Sequence, residues 1–222
     1  MGSPAGTDAF EAFQGFHPDV LTFFDELAAN NERSFWLANK ERYEQQVRAP
    51  MQALADALEG AFGEPHLYRP YRDVRFSKDK RPYKVHVAVT FGGRGPSAIG
   101  GRYVHLDRSG LFVGGGAYQL DSETLARYRR SVAEQRTGEE LTGIVEELKT
   151  KGYDIGGERL KRAPRGFDPD HPRIDLLKQK GIFASKHDAP ADWFYSPALL
   201  DHVVRVFGDS EALVNWLRHH LA

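Results

Sequence analysis

The stretch RPYRDVRFSKDKRPYKVH, residues 69–86, concentrates the positive charge of this chain. It holds seven Lys or Arg side chains and two Asp, whereas the whole protein has 30 basic and 31 acidic side chains. The remaining residues therefore carry 23 basic and 29 acidic side chains, a net charge of −6. Like charges held close together cost free energy unless anions or carboxylates compensate them. The stretch thus predicts either a site for an anion or a cluster of structural ion pairs.

The residues in and after this stretch predict a sheet. Pro70 and Pro82 exclude a long helix within it. Residues 85–91, VHVAVTF, alternate between large apolar and smaller or polar side chains, which is typical of a strand with one buried face. Two further apolar segments, 103–106 and 111–113, flank the sequence DRSG at 107–110, a suitable hairpin loop. We therefore predict a central antiparallel sheet of about four or more strands.

Helical patterns lie on both sides of this sheet along the chain. Before it, apolar side chains recur at the helical period over residues 20–27, 36–47 and 54–62, and Pro50 suits the first turn of the third of these helices. After it, the patterns predict a helix capped by Asp121 or Ser122, one with a Thr137–Glu140 capping box, a short one over 172–180, one opened by Pro197 and one capped by Ser210. No repeat or linker divides the chain. We predict a flexible N-terminus over residues 1–15 and a single α+β domain over residues 16–222, in which N-terminal and C-terminal helices pack on the sheet.

Composition excludes several classes of protein. The chain has no Cys, and hence no disulfide, thiol nucleophile or thiolate metal site. A formal net charge of −1 argues against a general binder of nucleic acid or membranes. No apolar run is long enough to span a membrane, and the N-terminus lacks the pattern of a signal peptide. We expect a cytoplasmic protein without a membrane partner, and no pattern indicates an oligomeric state.

Nine residues of the stretch form the pattern RxxRDxRFxxDKxPY: Arg69, Arg72, Asp73, Arg75, Phe76, Asp79, Lys80, Pro82 and Tyr83. This pattern resembles the signature of a family of bacterial conserved hypothetical proteins, classed as a domain of unknown function. Flanking segments are similar to the same family, so the resemblance covers nearly the whole chain: Gly15-Phe16, Asn30-Asn31, Trp36, Asn39-Lys40, Tyr43, residues 111–114, 160–162 and 164–167. The resemblance does not indicate which activity the protein has. The function therefore has to be inferred from the chemistry of the residues.

The cationic side chains predict a pocket for a small ligand that carries phosphate or carboxylate. The planar guanidinium of arginine suits bidentate binding of such oxyanions. In extended chain Asp73 and Arg75 project to one face, so that Asp73 could orient Arg75 or transfer a proton. The expected ligand-binding residues are Arg69, Arg72, Arg75, Lys78, Lys80, Tyr83, Lys84 and His86, with Asn39 and Lys40 of the second helix and Arg165 of a second basic segment.

Two histidines lie on the more polar sides of predicted strands, His86 and His105. His105, with Asp73, is our candidate catalytic residue, because a histidine beside a basic cluster can donate a hydrogen bond or transfer a proton. A metal site would need a third ligand, and only Asp107 lies nearby in sequence. We therefore predict no metal and no cofactor.

Two alternatives stay open beside the anion pocket. Tyr71, Phe76 and Tyr83 are interleaved with the cations and could stack on the bases of single-stranded nucleic acid, or the same patch could dock an acidic protein. The nearly neutral chain makes nucleic acid the less favoured partner. In the second alternative the arginines form a structural scaffold of salt bridges. The sequence leaves open whether the protein is an enzyme.

Overall fold

The fold is α+β, as predicted, and the described residues form six strands in one antiparallel sheet. The computed structural model describes residues 13–93 and 98–221. The strands are β1 (Pro65–Leu67), β2 (His86–Phe91), β3 (Gly101–Asp107), β4 (Gly110–Ala117), β5 (Asp154–Gly156) and β6 (Ile182–Asp188). Their order in the sheet is β1-β2-β3-β4-β6-β5. The strand predicted over residues 85–91 and the hairpin around 107–110 are confirmed, whereas β1 and β5, of three residues each, were missed.

Helices precede and follow the first four strands. They are α1 (Val20–Ala29), α2 (Arg33–Tyr43), α3 (Ala49–Phe62), α4 (Ser122–Ala133), α5 (Gln135–Thr150), α6 (Ile174–Leu177), α7 (Ala198–Asp209) and α8 (Glu211–Leu221), with a 3₁₀ turn at Asp192–Tyr195. Among the described residues, no helix combines the length and the apolar character needed to cross a membrane.

The second and third predicted helices are continuous rather than separate. A π turn, Glu44–Arg48, joins α2 to α3. The buried side chains Tyr43, Val47, Met51 and Ala55 follow each other at intervals of four residues, more than the 3.6 residues of an α-helical turn. A π turn takes up the extra residue and keeps this row facing the core. Pro50 lies in the first turn of α3, as predicted.

The chain forms two compact units. The first comprises described residues 13–91, 103–112 and 187–204, and the second comprises the described parts of 92–102, 113–186 and 205–221. The single domain predicted for residues 16–222 stays a prediction. Of the N-terminal stretch predicted to be flexible, residues 1–12 lie outside the described part of the chain, and Phe13 is buried against the ring of Phe16.

In the first unit, helix α3 packs on strands β1 and β2. Strand alternation sends Val87, Val89 and Phe91 of β2 to a buried face, and Val104 and Leu106 of β3 are buried as well. The alternate positions Tyr103, His105 and Asp107 of β3 are only half-buried, as is His86 of β2. One side of this part of the sheet is therefore core, and the other carries polar and aromatic side chains that reach solvent.

In the second unit, side-chain caps set where the helices begin. Asp121 accepts a hydrogen bond from the backbone N–H of Thr124 (2.8 Å) and caps α4, as predicted. The Thr137–Glu140 capping box is wrong, because Glu134 accepts from the N–H of Thr137 (2.7 Å) and α5 begins before Thr137. A carboxylate two or three residues upstream satisfies the same free N–H groups that a threonine would.

Candidate functional site

Residues 68–84 form an irregular two-stranded ribbon that leads from β1 back to β2. Tyr71 and Tyr83 are antiparallel bridge partners. The N–H of Arg72 donates to the carbonyl of Pro82 (2.9 Å), and the N–H of Lys84 donates to the carbonyl of Pro70 (2.7 Å). Both prolines accept hydrogen bonds but have no N–H to donate, so a regular ladder cannot form here. The ribbon keeps strand-like alternation without being a strand.

Helix α2 and Asn31, which precedes it, anchor this ribbon. The side-chain amide of Asn31 donates to the carbonyl of Tyr83 and accepts from its N–H, both at 3.0 Å. The buried ring of Tyr83 stacks on Trp36, with centroids 4.5 Å apart and planes 12° from parallel. The sequence predicted that Tyr83 binds ligand, but its ring is buried in the core.

Beyond the bridge, residues 73–81 form a loop whose arginines are paired with carboxylates. Arg72 and Arg81 both bind Asp79, at 2.6 and 2.7 Å. Arg75 binds Asp73 through two nitrogens, at 3.0 and 2.7 Å. The hydrogen bonds from Arg75 lower the pKa of Asp73, and those from Arg81 and then Arg72 lower the pKa of Asp79. Two carboxylates thus engage three guanidinium groups.

The contact between Asp73 and Arg75 arises from a turn and not from extended chain. The N–H of Arg75 donates to Asp73 Oδ1 (3.2 Å), the local pairing typical of an Asx turn. The expectation that these side chains share one face of a strand is therefore corrected, although the two groups do meet. With its pKa lowered, Asp73 is better suited to holding Arg75 than to transferring a proton at neutral pH.

Most cations in and beside this loop are exposed to solvent. Arg69, Lys78, Lys80 and Arg81 are exposed, and the Lys80 ammonium donates to the carbonyl of Val74 (3.0 Å). The side chain of Arg75 is 77% exposed. These groups do not converge on a common point as the sequence led us to expect.

We therefore expect Arg75→Ala to leave the midpoint of thermal unfolding unchanged within experimental error, because the lost ion pair is exposed to solvent. Differential scanning calorimetry of this variant beside wild type measures it. A loss of cooperative unfolding would instead favour the structural scaffold described above.

A second group of basic side chains lies on the half-buried sheet face of the first unit. We call Arg72, Lys84, His86 and His105 the cationic face. Residues 72, 84 and 86 are even-numbered positions of the ribbon and β2 and share one side of it. The rings of His86 and His105, on neighbouring strands, lie 5.6 Å apart. The cationic face is therefore continuous across the ribbon, β2 and β3.

Lys84 is the unusual member of the cationic face. Its half-buried ammonium donates to the carbonyl of Arg69 (2.9 Å) and lies 5.1 Å from the ring centre of Tyr68. Among the described residues it forms no ion pair with a carboxylate. Burial, and then the charge of Arg69, lower the pKa of Lys84. A half-buried lysine of this kind is costly to the folded protein unless something compensates its charge.

Burial and neighbouring basic groups lower the pKa values of the two histidines as well. Burial, followed by the charge of Lys84, lowers the pKa of His86. Burial, followed by the charge of His86, lowers the pKa of His105 to about 4. Both imidazoles are consequently neutral at pH 7, where each offers one N–H donor and one acceptor. The low pKa makes His105 a weak base, so the site favours a hydrogen-bonding role for it over proton transfer.

Aromatic and polar side chains border the histidines, and sequence reasoning did not include them in the site. The ring of Phe112 stacks on His105, with centroids 5.3 Å apart, and Tyr103 lies 5.4 Å away. The alternation of β3 could have indicated Tyr103. Asp107 Oδ2 is 3.8 Å from His105 Nε2, and its other oxygen accepts from the N–H of Ser109 (2.7 Å).

The hairpin loop also brings in a histidine from a distant part of the sequence. Ser109 Oγ lies 3.3 Å from Nε2 of His187 in β6. No local pattern around His187 marked it, because only the pairing of strands brings it to the hairpin. His105 Nδ1 is buried and has no hydrogen-bond partner within the described residues.

Comparison with family models matches residues 19–216 to the family described as conserved hypothetical protein (DUF2461). The chain belongs to this family. The match includes the ribbon, the loop and every residue of the cationic face, and it confirms the resemblance inferred from the sequence at the level of the family. A comparison with curated proteins finds no match.

Three further residues that the sequence predicted to bind ligand do not belong to the cationic face: Asn39, Lys40 and Arg165. The amide of Asn39 donates to the carbonyl of Phe35 one turn earlier in α2 (3.0 Å), and Lys40 is exposed. Arg165 is exposed in the second unit. Within the residues that the structure describes, no group of three or more His, Asp or Glu side chains is placed to hold a metal ion.

Proposed function

We propose that this protein binds a small ligand bearing a phosphate or carboxylate group on the cationic face of Arg72, Lys84, His86 and His105. The half-buried ammonium of Lys84 carries the proposal, because it is exposed to the charge of Arg69 and has no carboxylate partner in the described part of the chain. An oxyanion beside Lys84 would compensate this charge where desolvation makes it most costly.

The neighbouring side chains support an anion in particular. Arg72 is 29% exposed and shares its carboxylate, Asp79, with Arg81, so its charge is only partly neutralised. The neutral histidines can each donate one N–H to an oxygen of the ligand. Tyr68, Tyr103 and Phe112 lie beside the polar groups and suit an apolar portion of the same ligand.

Binding of phosphate can be measured as a gain in thermal stability. We expect the midpoint of unfolding of the wild type to rise with inorganic phosphate at constant ionic strength, since a ligand at 100 times its Kd stabilises by about 2.7 kcal/mol. Lys84→Met should abolish most of this gain, because it removes the charge and keeps the apolar stem.

Lys78→Met is the matched control for that substitution. Lys78 belongs to the same stretch but is exposed on the loop, so its variant should respond to phosphate as the wild type does. Without phosphate, Lys84→Met should be no less stable than wild type, because it also removes a costly charge. Equal phosphate responses of the two variants, or no response of the wild type, would contradict the proposal.

A further inference from the structure

The loop of residues 73–81 presents a phenyl ring almost wholly to solvent. Phe76 is 96% exposed. The shape of the loop does not depend on this ring, because Asp73 binds Arg75, Asp79 binds Arg72 and Arg81, and Lys80 binds the carbonyl of Val74. A single exposed apolar side chain is common on protein surfaces, so the charges around Phe76 decide whether it marks a contact site.

The charges around Phe76 indicate the kind of partner. The Arg75 guanidinium lies 6.0 Å from the centre of the ring. The loop carries four cations and two carboxylates, and its lysines, Lys78 and Lys80, are exposed. Arg69, at the base of the ribbon, adds another exposed cation. The loop therefore combines an accessible aromatic face with an excess of positive charge on both sides of it.

We propose that this loop binds single-stranded nucleic acid, with Phe76 stacked on an unpaired base and Lys78 and Lys80 beside the flanking phosphates. An exposed aromatic ring flanked by cations suits an unpaired base flanked by phosphates. Bases in a duplex already stack on each other and have no free face for the ring. An acidic peptide would satisfy the lysines but would leave Phe76 without a planar partner.

The charge of the remaining chain limits the size of this interface. Outside residues 69–86 the net charge is −6, so a polyanion is attracted to the loop and not to the whole surface. With phosphates contacted by Lys78 and Lys80, the logarithm of the binding constant should fall with the logarithm of salt concentration with a slope of about −1.4. A slope this shallow distinguishes a single loop from an extended basic groove.

Fluorescence anisotropy with a labelled oligothymidylate of about ten nucleotides tests the proposal at low salt. The wild type should bind it, and Phe76→Ala should weaken binding about tenfold or more while leaving the salt slope unchanged. Phe76→Trp should retain the affinity. Lys78→Ala should make the slope shallower by about 0.7, the contribution of one phosphate contact.

Tyr118→Ala is the control for Phe76→Ala, because Tyr118 is also an exposed aromatic residue but lies outside the loop. It should bind the oligonucleotide like wild type, because it leaves the loop and its cations unchanged. Absence of binding, equal affinity of the Tyr118 and Phe76 variants, or equal affinity for duplex DNA would overturn the proposal. Equal binding of polyglutamate would also overturn it and assign the loop to an acidic protein partner.

Discussion

Replacing Trp36 with alanine is expected to lower the free energy of unfolding by about 3–5 kcal/mol, the usual cost of removing a buried tryptophan side chain. Trp36 is 3% exposed and contacts rings on both sides: Tyr83 of the ribbon at 4.5 Å and Tyr43 of α2 at 4.8 Å. Its removal leaves a cavity where the ribbon is anchored to the helix. Urea unfolding followed by circular dichroism measures the loss as a lower midpoint at unchanged m-value.

Two variants of the same helix separate packing from other effects of the substitution. Leu37→Ala removes an exposed neighbour and should cost much less than Trp36→Ala. Trp36→Phe should also cost less, because it keeps a ring against Tyr83 and because the indole N–H has no acceptor in the described part of the chain. If Trp36→Ala cost no more than Leu37→Ala, the aromatic contact would not be what anchors the ribbon.

The sequence was sufficient for the elements that obey a simple period. Residues 86–91 alternate because one face of β2 is buried, and the DRSG loop marks the hairpin between β3 and β4. The errors occur where tertiary packing overrides local preference. The π turn at Glu44–Arg48 exists to keep a row of buried side chains aligned, and strands of three residues have no period to detect.

The sequence predicted the kinds of residue in the candidate site but not how their side chains contact each other. Counting charges showed that seven cations face two carboxylates, but not that Asp79 engages two arginines at once or that a turn joins Asp73 to Arg75. Which cations become half-buried depends on the side of the ribbon that each occupies. That side follows from the pairing of residues 70–72 with 82–84, which two prolines make irregular. His187 reaches the hairpin only through the order of the strands.

The stability of the protein is expected to fall between pH 7 and pH 5. Burial and the charge of His86 lower the pKa of His105 from 6.5 to about 4, so over this range the unfolded chain binds a proton that the folded protein does not. Stability then decreases with falling pH. A shift of one pKa unit corresponds to about 1.4 kcal/mol, so His105 alone should account for about 2 kcal/mol by pH 5. His86, whose pKa is also lowered, adds to the loss in the same direction.

Denaturant titrations at pH 7, 6 and 5 in a buffer without phosphate measure this dependence, and His105→Gln identifies its origin. That variant should lose much of the pH dependence, whereas His219→Gln, which changes an exposed histidine of α8, should keep it.

The carboxylates of Asp73 and Asp79 do not contribute over this range, because their pKa values are lowered and their unfolded pKa is about 4. Saturating phosphate should reduce the dependence, since an anion on the cationic face raises the pKa of both histidines. If His105→Gln kept the full pH dependence of the wild type, the burial of His105 among cations would not be its cause.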